Sequence, residues 1–287
     1  MNITHAVIDH YSQGAKEVQP ALCCPVDYDT SLLALLPQEI IEKDYGCGDP
    51  SRYVRAGDTV LDLGSGAGKI CYMAAQLVGE PGQALARKYQ PEMAKKLGGQ
   101  RVHFVKGHIE DLALDVAALE RYLQEYPVRN VADLTALNTW QDQQRHTHPM
   151  IADASVDLVI SNCVLNLVRD SDKQQLVNEI FRVLKPGGRV AISDIISDET
   201  VPAHLKADAH LWSGCISGAF QEQEFIKAFT DAGFIAVCYD KWDAQPWQVV
   251  NGLEFRSATL TATKGAGTAC MDVGHAVIYR GPYASVN

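Results

Sequence analysis

The sequence predicts an α/β fold: a doubly wound sheet preceded by helices, interrupted by a helical insertion and followed by a C-terminal α+β extension. Residues 59–63 are read as a buried strand, because their apolar side chains suit a central strand covered on both faces. A glycine-rich turn and a helix over 67–78 follow directly. Further along, strand 157–161, helix 171–184 and strand 189–195 alternate, as is typical of a parallel sheet with helical crossovers.

The other predicted elements divide the chain into three regions. Residues 1–198 form the sheet domain with the helical insertion at 112–150, residues 199–264 form a substrate-binding region, and residues 265–287 begin a small further segment. The remaining helices are expected at 3–11, 31–42, 84–97, 203–212 and 221–232, and from Val116 and Val131 within the insertion. The remaining strands are expected at 102–106, 234–242, 253–263 and 275–280.

One element that a doubly wound sheet needs is missing. A second strand should follow the first helix, but residues 79–83 pass directly into a helical segment that begins at Ala84. Bringing the chain back across the sheet takes a strand of about five residues. We therefore expect either that about a dozen residues are omitted between Gln83 and Ala84, or that the sheet is altered there. The acidic residue that would hold a cofactor ribose is consequently not identified.

The composition is that of a globular protein and argues against several partners. Of the 287 residues, 47% are hydrophobic and 21% are charged, and the net charge is −10 at pH 7. A negative chain without a Lys/Arg cluster argues against nucleic acid and against an anionic membrane surface. Neither a membrane-spanning apolar run nor a signal-peptide core is found, so a cytoplasmic location is expected.

The glycine-rich turn predicts the cofactor. Its sequence, Asp62-Leu63-Gly64-Ser65-Gly66-Ala67-Gly68, has the spacing G-x-G-x-G, whereas G-x-G-x-x-G holds a dinucleotide pyrophosphate. The Asp62 carboxylate would repel phosphates and suits a cationic ligand, such as the ammonium and sulfonium groups of S-adenosylmethionine. The pattern resembles motif I of the class I methyltransferases. A strand–turn–helix without ligand is less favoured, since all three parts stand in the expected order.

Cysteines lie in four segments beside groups expected near the cofactor. These segments are Cys23-Cys24-Pro25, Tyr45-Gly46-Cys47-Gly48, Ser161-Asn162-Cys163-Val164-Leu165-Asn166-Leu167 and Leu211-Trp212-Ser213-Gly214-Cys215-Ile216-Ser217-Gly218-Ala219. Cys163 follows strand 157–161, and ligands of an open α/β sheet bind at the carboxyl ends of the strands. We therefore expect its thiol to meet substrate. Cys71 and Cys238 are predicted core residues.

Together these four segments resemble the arsenite S-adenosylmethionine methyltransferase family. The resemblance extends over most of the chain and includes Leu184-Lys185-Pro186-Gly187-Gly188 and Phe255-Arg256-Ser257-Ala258-Thr259. It implies a Rossmann-like class I methyltransferase domain over 1–198. It also implies methylation of trivalent arsenic, with S-adenosylmethionine as methyl donor and S-adenosylhomocysteine as product. The missing second strand and the insertion at 112–150 depart from the family pattern.

The resemblance assigns roles to the cysteines. Cys163 and Cys215 are implied to bind As(III), with Cys47 as a further ligand, and soft thiolates suit this thiophilic element. Cys47 and either Cys24 or Cys23, of which we favour Cys24, are implied to form a disulfide relay. Thioredoxin or glutathione would reset that relay, and such exchange needs accessible thiols of low pKa.

The resemblance also assigns cofactor contacts. The methionine part would meet Asp62, Gly64, Ser65, Gly66 and Gly68 on the turn, with Asn162 beside the methionyl group. Ile109 and Glu110 match the family's adenine-contacting pair. Tyr45 would lie near the sulfonium, because an aromatic face attracts a cation.

Two other functions stay open at this point. One is a class I methyltransferase acting on another small nucleophile, such as a selenium compound, a thiol, an amine or a hydroxyl. The other is an arsenic-binding protein without turnover, which the absence of a cofactor-binding strand would favour.

Overall fold

The computed structural model describes residues 26–42, 46–79 and 90–267. The helices are α1 (Thr30–Leu33), α2 (Gln38–Glu42), α3 (Lys69–Leu77), α4 (Gln90–Lys96), α5 (Val116–Glu125), α6 (Val131–Thr147), α7 (Lys173–Val183), α8 (Ala203–Lys206), α9 (Ala209–Ser213) and α10 (Glu222–Asp231). Short 3₁₀ helices cover Pro50–Tyr53 and Leu165–Leu167. The strands are β1 (Val60–Leu63), β2 (Val156–Asn162), β3 (Leu184–Ser197), β4 (Phe220–Gln221), β5 (Phe234–Trp242), β6 (Gln248–Val250) and β7 (Leu253–Lys264).

Within these ranges the strands form one seven-stranded sheet, in the order β1-β2-β3-β7-β5. Strands β1, β2 and β3 are parallel, with Leu63 opposite Ser161 and Asn162 opposite Ser193. Strand β7 runs antiparallel between β3 and β5. The short strands β4 and β6 pair with β3 and β7. The carboxyl ends of β1 and β2 therefore lie side by side, where an open α/β sheet binds its ligands.

The sheet is covered on both faces. On one face Leu61, Val159 and Ile192 pack in a core with side chains from α7 and α10, namely Leu176, Val177, Ile180, Phe225 and Phe229. On the other face Val60, Leu158 and Ala191 pack in a second core with α3 and neighbouring helices, through Leu36, Ile40, Ile70, Met73, Ala74 and Met93. The alternation of neighbouring residues between the two cores follows from the two-residue period of a strand. The predicted Rossmann-like architecture is confirmed.

Most predicted elements are found with small shifts of their ends. The two insertion helices are α5 and α6, whose first turns are capped by the side chains of Asp115 and Asn130. The expected helix 203–212 is instead two short helices, α8 and α9, and the Asp208 side chain between them caps α9. The expected helix 31–42 is also two short helices, α1 and α2, which are separated by a turn that ends at Pro37. The described part of the expected helix 84–97 is α4.

Two predictions are wrong. Residues 102–106 form no strand, and only Val102 takes a bridge position. Cys238 is exposed rather than part of the core. It lies on β5, the outer strand, whose pairing with β7 shifts register on both sides of Cys238. Cys71 is buried as predicted.

Several predictions concern residues outside the described ranges. These are helix 3–11, strand 275–280, Cys23, Cys24, Tyr45 and the proposed omission between Gln83 and Ala84. The region 199–264 contributes β4, β5, β6 and β7 to the same sheet as β1–β3. In the described parts of the chain, every helix is too short or too polar to cross a membrane.

Candidate active site

Cys163 is the first residue after β2, at the expected end of the sheet. Its N–H donates to the carbonyl oxygen of Ser193 on β3 at 2.8 Å. Its φ of 57° is in the left-handed region, which is uncommon for a residue other than glycine. The backbone thus turns sharply at Cys163, and its partly buried side chain lies at the carboxyl end of β2, against an apolar cluster that contains Ile195 of β3.

Cys47 reaches the same place on a loop that passes close to the sheet. A Cβ atom added to Gly46 would lie 2.2 Å from Nδ2 of Asn162, and one added to Gly48 would lie 2.3 Å from Oγ of Ser193. Only glycine fits at such distances, so the two residues that flank Cys47 allow the loop to lie against β2 and β3. Cys47 itself is fully buried.

The sulfurs of Cys47 and Cys163 form a disulfide, with Cα atoms 6.0 Å apart. This differs from the implied pairing of Cys47 with Cys24 or Cys23. The reason is the close approach of the Cys47 loop, which brings its thiol within bonding distance of the first residue after β2. Cys23 and Cys24 fall outside the described residues, so their part in a relay stays a prediction.

Cys215 approaches from the segment between α9 and β4. Its thiol donates to the carbonyl oxygen of Cys163 over 3.6 Å, and it too has a left-handed backbone, with φ 62°. The three cysteines share an apolar cluster whose buried members include Ile195, Val201, Leu205, Ile216 and Phe255. The structure therefore unites the three cysteines that the sequence analysis assigned to arsenic.

Asp194 is a member of this site that the sequence analysis missed. One of its carboxylate oxygens and the sulfurs of Cys47 and Cys163 all lie within 4.8 Å of one another. Complete burial raises the pKa of the Asp194 carboxyl to about 7, against the opposing effect of N–H donors from Ile195, Asn166 and Leu165. An acidic residue in the apolar run of β3 was the available signal, because an acid is rarely buried without a specific partner.

Ser257 was also missed. Its hydroxyl donates to the carbonyl oxygen of Cys47 at 2.5 Å from the neighbouring strand β7. The residue belongs to the motif Phe255–Thr259, which carries part of the family resemblance. Its side chain ties the Cys47 loop to the antiparallel part of the sheet.

The glycine-rich turn has the conformation that a cofactor cradle needs. Gly64, Gly66 and Gly68 all have positive φ, at 70°, 51° and 92°. The turn also lies close to the cysteines, since a Cβ atom added to Gly64 would lie 2.6 Å from both methyl carbons of Val164, the residue after Cys163. Asp62 is partly buried beside the turn and accepts a hydrogen bond from the Cys71 thiol at 3.1 Å. The residues present therefore fit a cationic ligand bound against backbone.

Two further residues connect the turn to the cysteine site. Lys69, the first residue of α3, is buried, and its ammonium lies 4.0 Å from the ring centre of Tyr28. The Tyr28 hydroxyl accepts from Nδ2 of Asn162 at 3.3 Å. Neither Tyr28 nor Lys69 was predicted, because contacts between distant segments leave no local pattern.

The predicted adenine-contacting pair lies beside the insertion. Ile109 packs against the first core, and the partly buried Glu110 carboxylate faces Nδ1 of His108 at 3.5 Å. The adjacent Asp111 accepts from the guanidinium of Arg145, on α6, at 3.0 Å. Helix α6 therefore holds the segment that carries Ile109 and Glu110, whose contact with the cofactor stays a prediction.

Comparison with known proteins identifies relatives of this chain. A family model described as a methyltransferase domain matches residues 129–233. The chain is 30% identical to an arsenite methyltransferase of Aquipseudomonas alcaligenes, over 94% of this chain and 74% of that protein. It is 35% identical to an arsenite methyltransferase of Halobacterium salinarum, over 67% of this chain, but spans only 41% of that relative.

A solved structure gives the same result. The crystal structure of an arsenic(III) S-adenosylmethionine methyltransferase from Chlamydomonas reinhardtii matches with a TM-score of 0.61 and 29% identity, covering 87% of this chain and 75% of that one. The cofactor of such enzymes is S-adenosylmethionine, the ligand predicted for the Gly64–Gly68 turn. The chain belongs to the arsenite methyltransferase family.

Proposed function

We propose that this protein methylates trivalent arsenic bound by the thiolates of Cys47, Cys163 and Cys215. The observation that carries the proposal is the meeting of three cysteines from separate segments at the carboxyl end of β2, next to the glycine-rich turn. Cys47 and Cys163 are bonded to each other, and the Cys215 thiol contacts the backbone of Cys163. Soft thiolates select a soft, thiophilic centre such as As(III) over hard cations.

Arsenic binding at this site requires reduction of the Cys47–Cys163 disulfide, because only thiolates act as ligands. The proposal therefore includes a thiol reductant, such as thioredoxin or glutathione, as a partner. A reducing compartment such as the cytoplasm would maintain the free thiols.

The chain's own residues would bind and orient the two reactants. Gly64, Ser65, Gly66, Gly68 and Asp62 would hold the methionine part of S-adenosylmethionine, which supplies an electrophilic methyl group. The cysteines would hold arsenic on the other side of Val164 with its lone pair free. Because that lone pair is the nucleophile, no general base is needed, and positioning accounts for the catalysis.

Formation of the Cys47–Cys163 disulfide would supply the two electrons that return arsenic to As(III) after methyl transfer. Arsenic that donates its lone pair to a methyl cation rises by two in formal oxidation state. Two thiolates that leave as a disulfide return two electrons and restore As(III). A thiolate of the reductant then takes the open position, so that the methylated arsenic keeps three bonds. Cys47 and Cys163 are bonded in this structure, and we therefore assign this pair to that step.

The surroundings of the cysteines suit chemistry without water. Cys47 and Cys215 are buried, with Phe255, Ile195 and Ile216 in the same apolar cluster. Exclusion of water would protect bound arsenic from exchange with hydroxide and strengthen local electrostatic interactions.

Incubation of the purified protein with arsenite, S-adenosylmethionine and a thiol reductant, followed by speciation of arsenic, tests the proposal. We expect methylated arsenic from the unaltered protein. Cys163→Ser and Cys215→Ser should abolish the product and leave S-adenosylmethionine binding intact. Cys238→Ser is the matched control, because Cys238 is exposed on β5 and should be dispensable.

The same experiment separates the two other functions. Cofactor binding without arsenic methylation would favour another small nucleophile as acceptor. Arsenite binding that depends on Cys163 and Cys215, without any methylated product, would favour a non-catalytic binding protein. Arsenic methylation that persists in both serine variants would contradict the assignment of the thiols.

A further inference from the structure

We propose that Asn162 and Asn166, on either side of Cys163, are positioning residues that place Cys47 and Cys215 for arsenic binding. The inference rests on the proposed function and deepens it. One short segment, 162–166, would then supply one arsenic ligand directly and fix the other two through amide side chains. Neither asparagine side chain is expected to contact arsenic directly.

Asn162 holds the Cys47 loop with three of the four hydrogen-bonding positions of its amide side chain. Its Oδ1 accepts from the N–H groups of Cys47 at 2.9 Å and Gly48 at 3.2 Å. Its Nδ2 donates to the carbonyl oxygen of Gly48 at 2.8 Å and to the Tyr28 hydroxyl at 3.3 Å. Two donors and two acceptor sites are all that a primary amide offers, so the Cys47 loop and Tyr28 together occupy the whole side chain.

Asn166 makes the corresponding contact with the Cys215 segment. Its Nδ2 donates to the carbonyl oxygen of Cys215 at 3.3 Å and to that of Ile195 on β3 at 2.6 Å. Its backbone N–H donates to the Asp194 carboxylate at 3.3 Å, and the residue is fully buried. Asn166 thus joins the Cys215 backbone to β3, next to Cys163.

A fixed backbone matters here because the thiols come from distant parts of the chain. Cys47 and Asn162 are 115 residues apart, and Asn166 and Cys215 are 49 residues apart. A mobile loop loses conformational entropy when its thiolate binds a shared ligand, and this loss weakens binding. A loop that several hydrogen bonds already hold in place loses less entropy on binding. Buried hydrogen bonds of this kind are also costly to leave unmade.

The test measures two affinities separately on reduced protein. Arsenite affinity and S-adenosylmethionine affinity are determined for Asn162→Ala and Asn166→Ala, with a phosphine as reductant so that no added thiol competes for arsenic. We expect arsenite to bind at least about tenfold more weakly in each variant, as for loss of a supporting residue at a metal site. S-adenosylmethionine affinity should stay within about twofold. The Cys47 loop and Tyr28 occupy the Asn162 amide in place of the expected contact with the methionyl group, and Asn166 has no expected cofactor contact.

Pairing each asparagine with its cysteine distinguishes positioning from general damage. Asn162→Ala should have no further effect on arsenite affinity in a Cys47→Ser background, but its full effect in a Cys215→Ser background. Asn166→Ala should show the reverse pattern. Non-additivity confined to the matching pairs is the signature of a residue that acts through its partner. Equal losses in both backgrounds would overturn the proposal.

A conservative variant covers the case in which the alanine variant does not fold. Asn162→Asp keeps an oxygen that can accept from Cys47 and Gly48 but loses the donor to Gly48, so arsenite affinity between those of wild type and Asn162→Ala is expected. Weaker S-adenosylmethionine binding with unchanged arsenite affinity would refute the positioning role and make Asn162 a cofactor ligand. Failure of the wild type to bind arsenite would instead refute the proposed function itself.

Discussion

The Cys215 thiol lies 3.6 Å from the carbonyl oxygen of Cys163, and both residues have left-handed backbone conformations. Such conformations cost roughly 1–3 kcal/mol for residues other than glycine and persist only where the surroundings enforce them. Around Cys163 and Cys215 the enforcing contacts include the amide of Asn166 and the carbonyl of Ser193. These contacts therefore hold both cysteines in backbone conformations that an unconstrained loop would not keep.

Cysteine labelling should follow the described burial. Without reductant, iodoacetamide should modify Cys238 rapidly and leave Cys71 and Cys215 protected, because only the first is exposed. After treatment with a phosphine, Cys163 should become reactive before the fully buried Cys47. Peptide mass spectrometry measures each site. Rapid labelling of Cys215 in the unreduced protein would contradict its place in the apolar cluster.

Gly48→Ala should destabilise the protein. The added Cβ would lie 2.5 Å from the Cβ of Ser193 on β3, so the Cys47 loop must move away from the sheet. Overpacking of this kind costs about 1–3 kcal/mol in the free energy of unfolding, measured by urea denaturation. Gly99→Ala is the matched control, because nothing lies within 4 Å of the added atom. Equal effects of the two substitutions would show that the loop does not lie against β3.

Asp194→Asn should flatten the dependence of stability on pH. The folded pKa of Asp194 is about 7 and its ordinary value is 3.8, so between these pH values the folded protein holds a proton that the unfolded chain has lost. The contribution of the Asp194 carboxyl to the free energy of unfolding is largest below about pH 4 and is lost as the pH rises through 7. Between pH 5 and pH 8 it falls by about 2–3 kcal/mol. Urea unfolding at those two pH values measures it.

The asparagine at position 194 also loses one acceptor for a backbone N–H, so the variant should be less stable than wild type at pH 5. Glu199→Gln, on the exposed segment after β3, serves as control and should leave the pH dependence unchanged. A pH dependence equally steep in Asp194→Asn and in wild type would rule out Asp194 as its source.

Arg145→Met should weaken binding of S-adenosylmethionine. Its guanidinium holds Asp111, next to the predicted adenine-contacting residues Ile109 and Glu110. Loss of a partly exposed ion pair is worth up to about 1 kcal/mol, so an increase in the dissociation constant of about two- to fivefold is expected by calorimetry. Arg129→Met, on the exposed connection before α6, is the control. An unchanged dissociation constant in Arg145→Met would argue against a cofactor role for the 109–111 segment.

Local pattern was sufficient for the longer strands of the sheet. Strand β5 has the predicted bounds, Phe234–Trp242, because a run of apolar and β-branched residues marks a strand wherever it lies in a sheet. The prediction that Cys238 is buried was wrong, because the residues of a strand do not show whether it is central or outermost in the sheet. Whether a strand is central or outermost depends on its neighbours, and those neighbours are not encoded in its own residues.

The contacts that organise the site could not be predicted in the same way. Tyr28 accepts a hydrogen bond from Asn162, and Asp194 accepts one from the N–H of Leu165 in the turn after Cys163. Ser257 donates to the carbonyl oxygen of Cys47. Each of these contacts joins residues that are far apart along the chain. Each contact depends on the order of strands in the sheet, which a single sequence does not specify. The pairing of Cys47 with Cys163 was missed likewise, since it follows from how closely the glycines beside Cys47 let the loop approach.

The hydrogen bond from Ser257 to Cys47 joins residues 210 positions apart, and Ser257 lies on a strand that follows all three site cysteines in the chain. A nascent chain on the ribosome therefore exposes Cys47, Cys163 and Cys215 before the strand that supports the first of them exists. Cells facing arsenite would then have unfinished copies of the enzyme among their vulnerable thiols, and a quickly completed β7 would shorten that period.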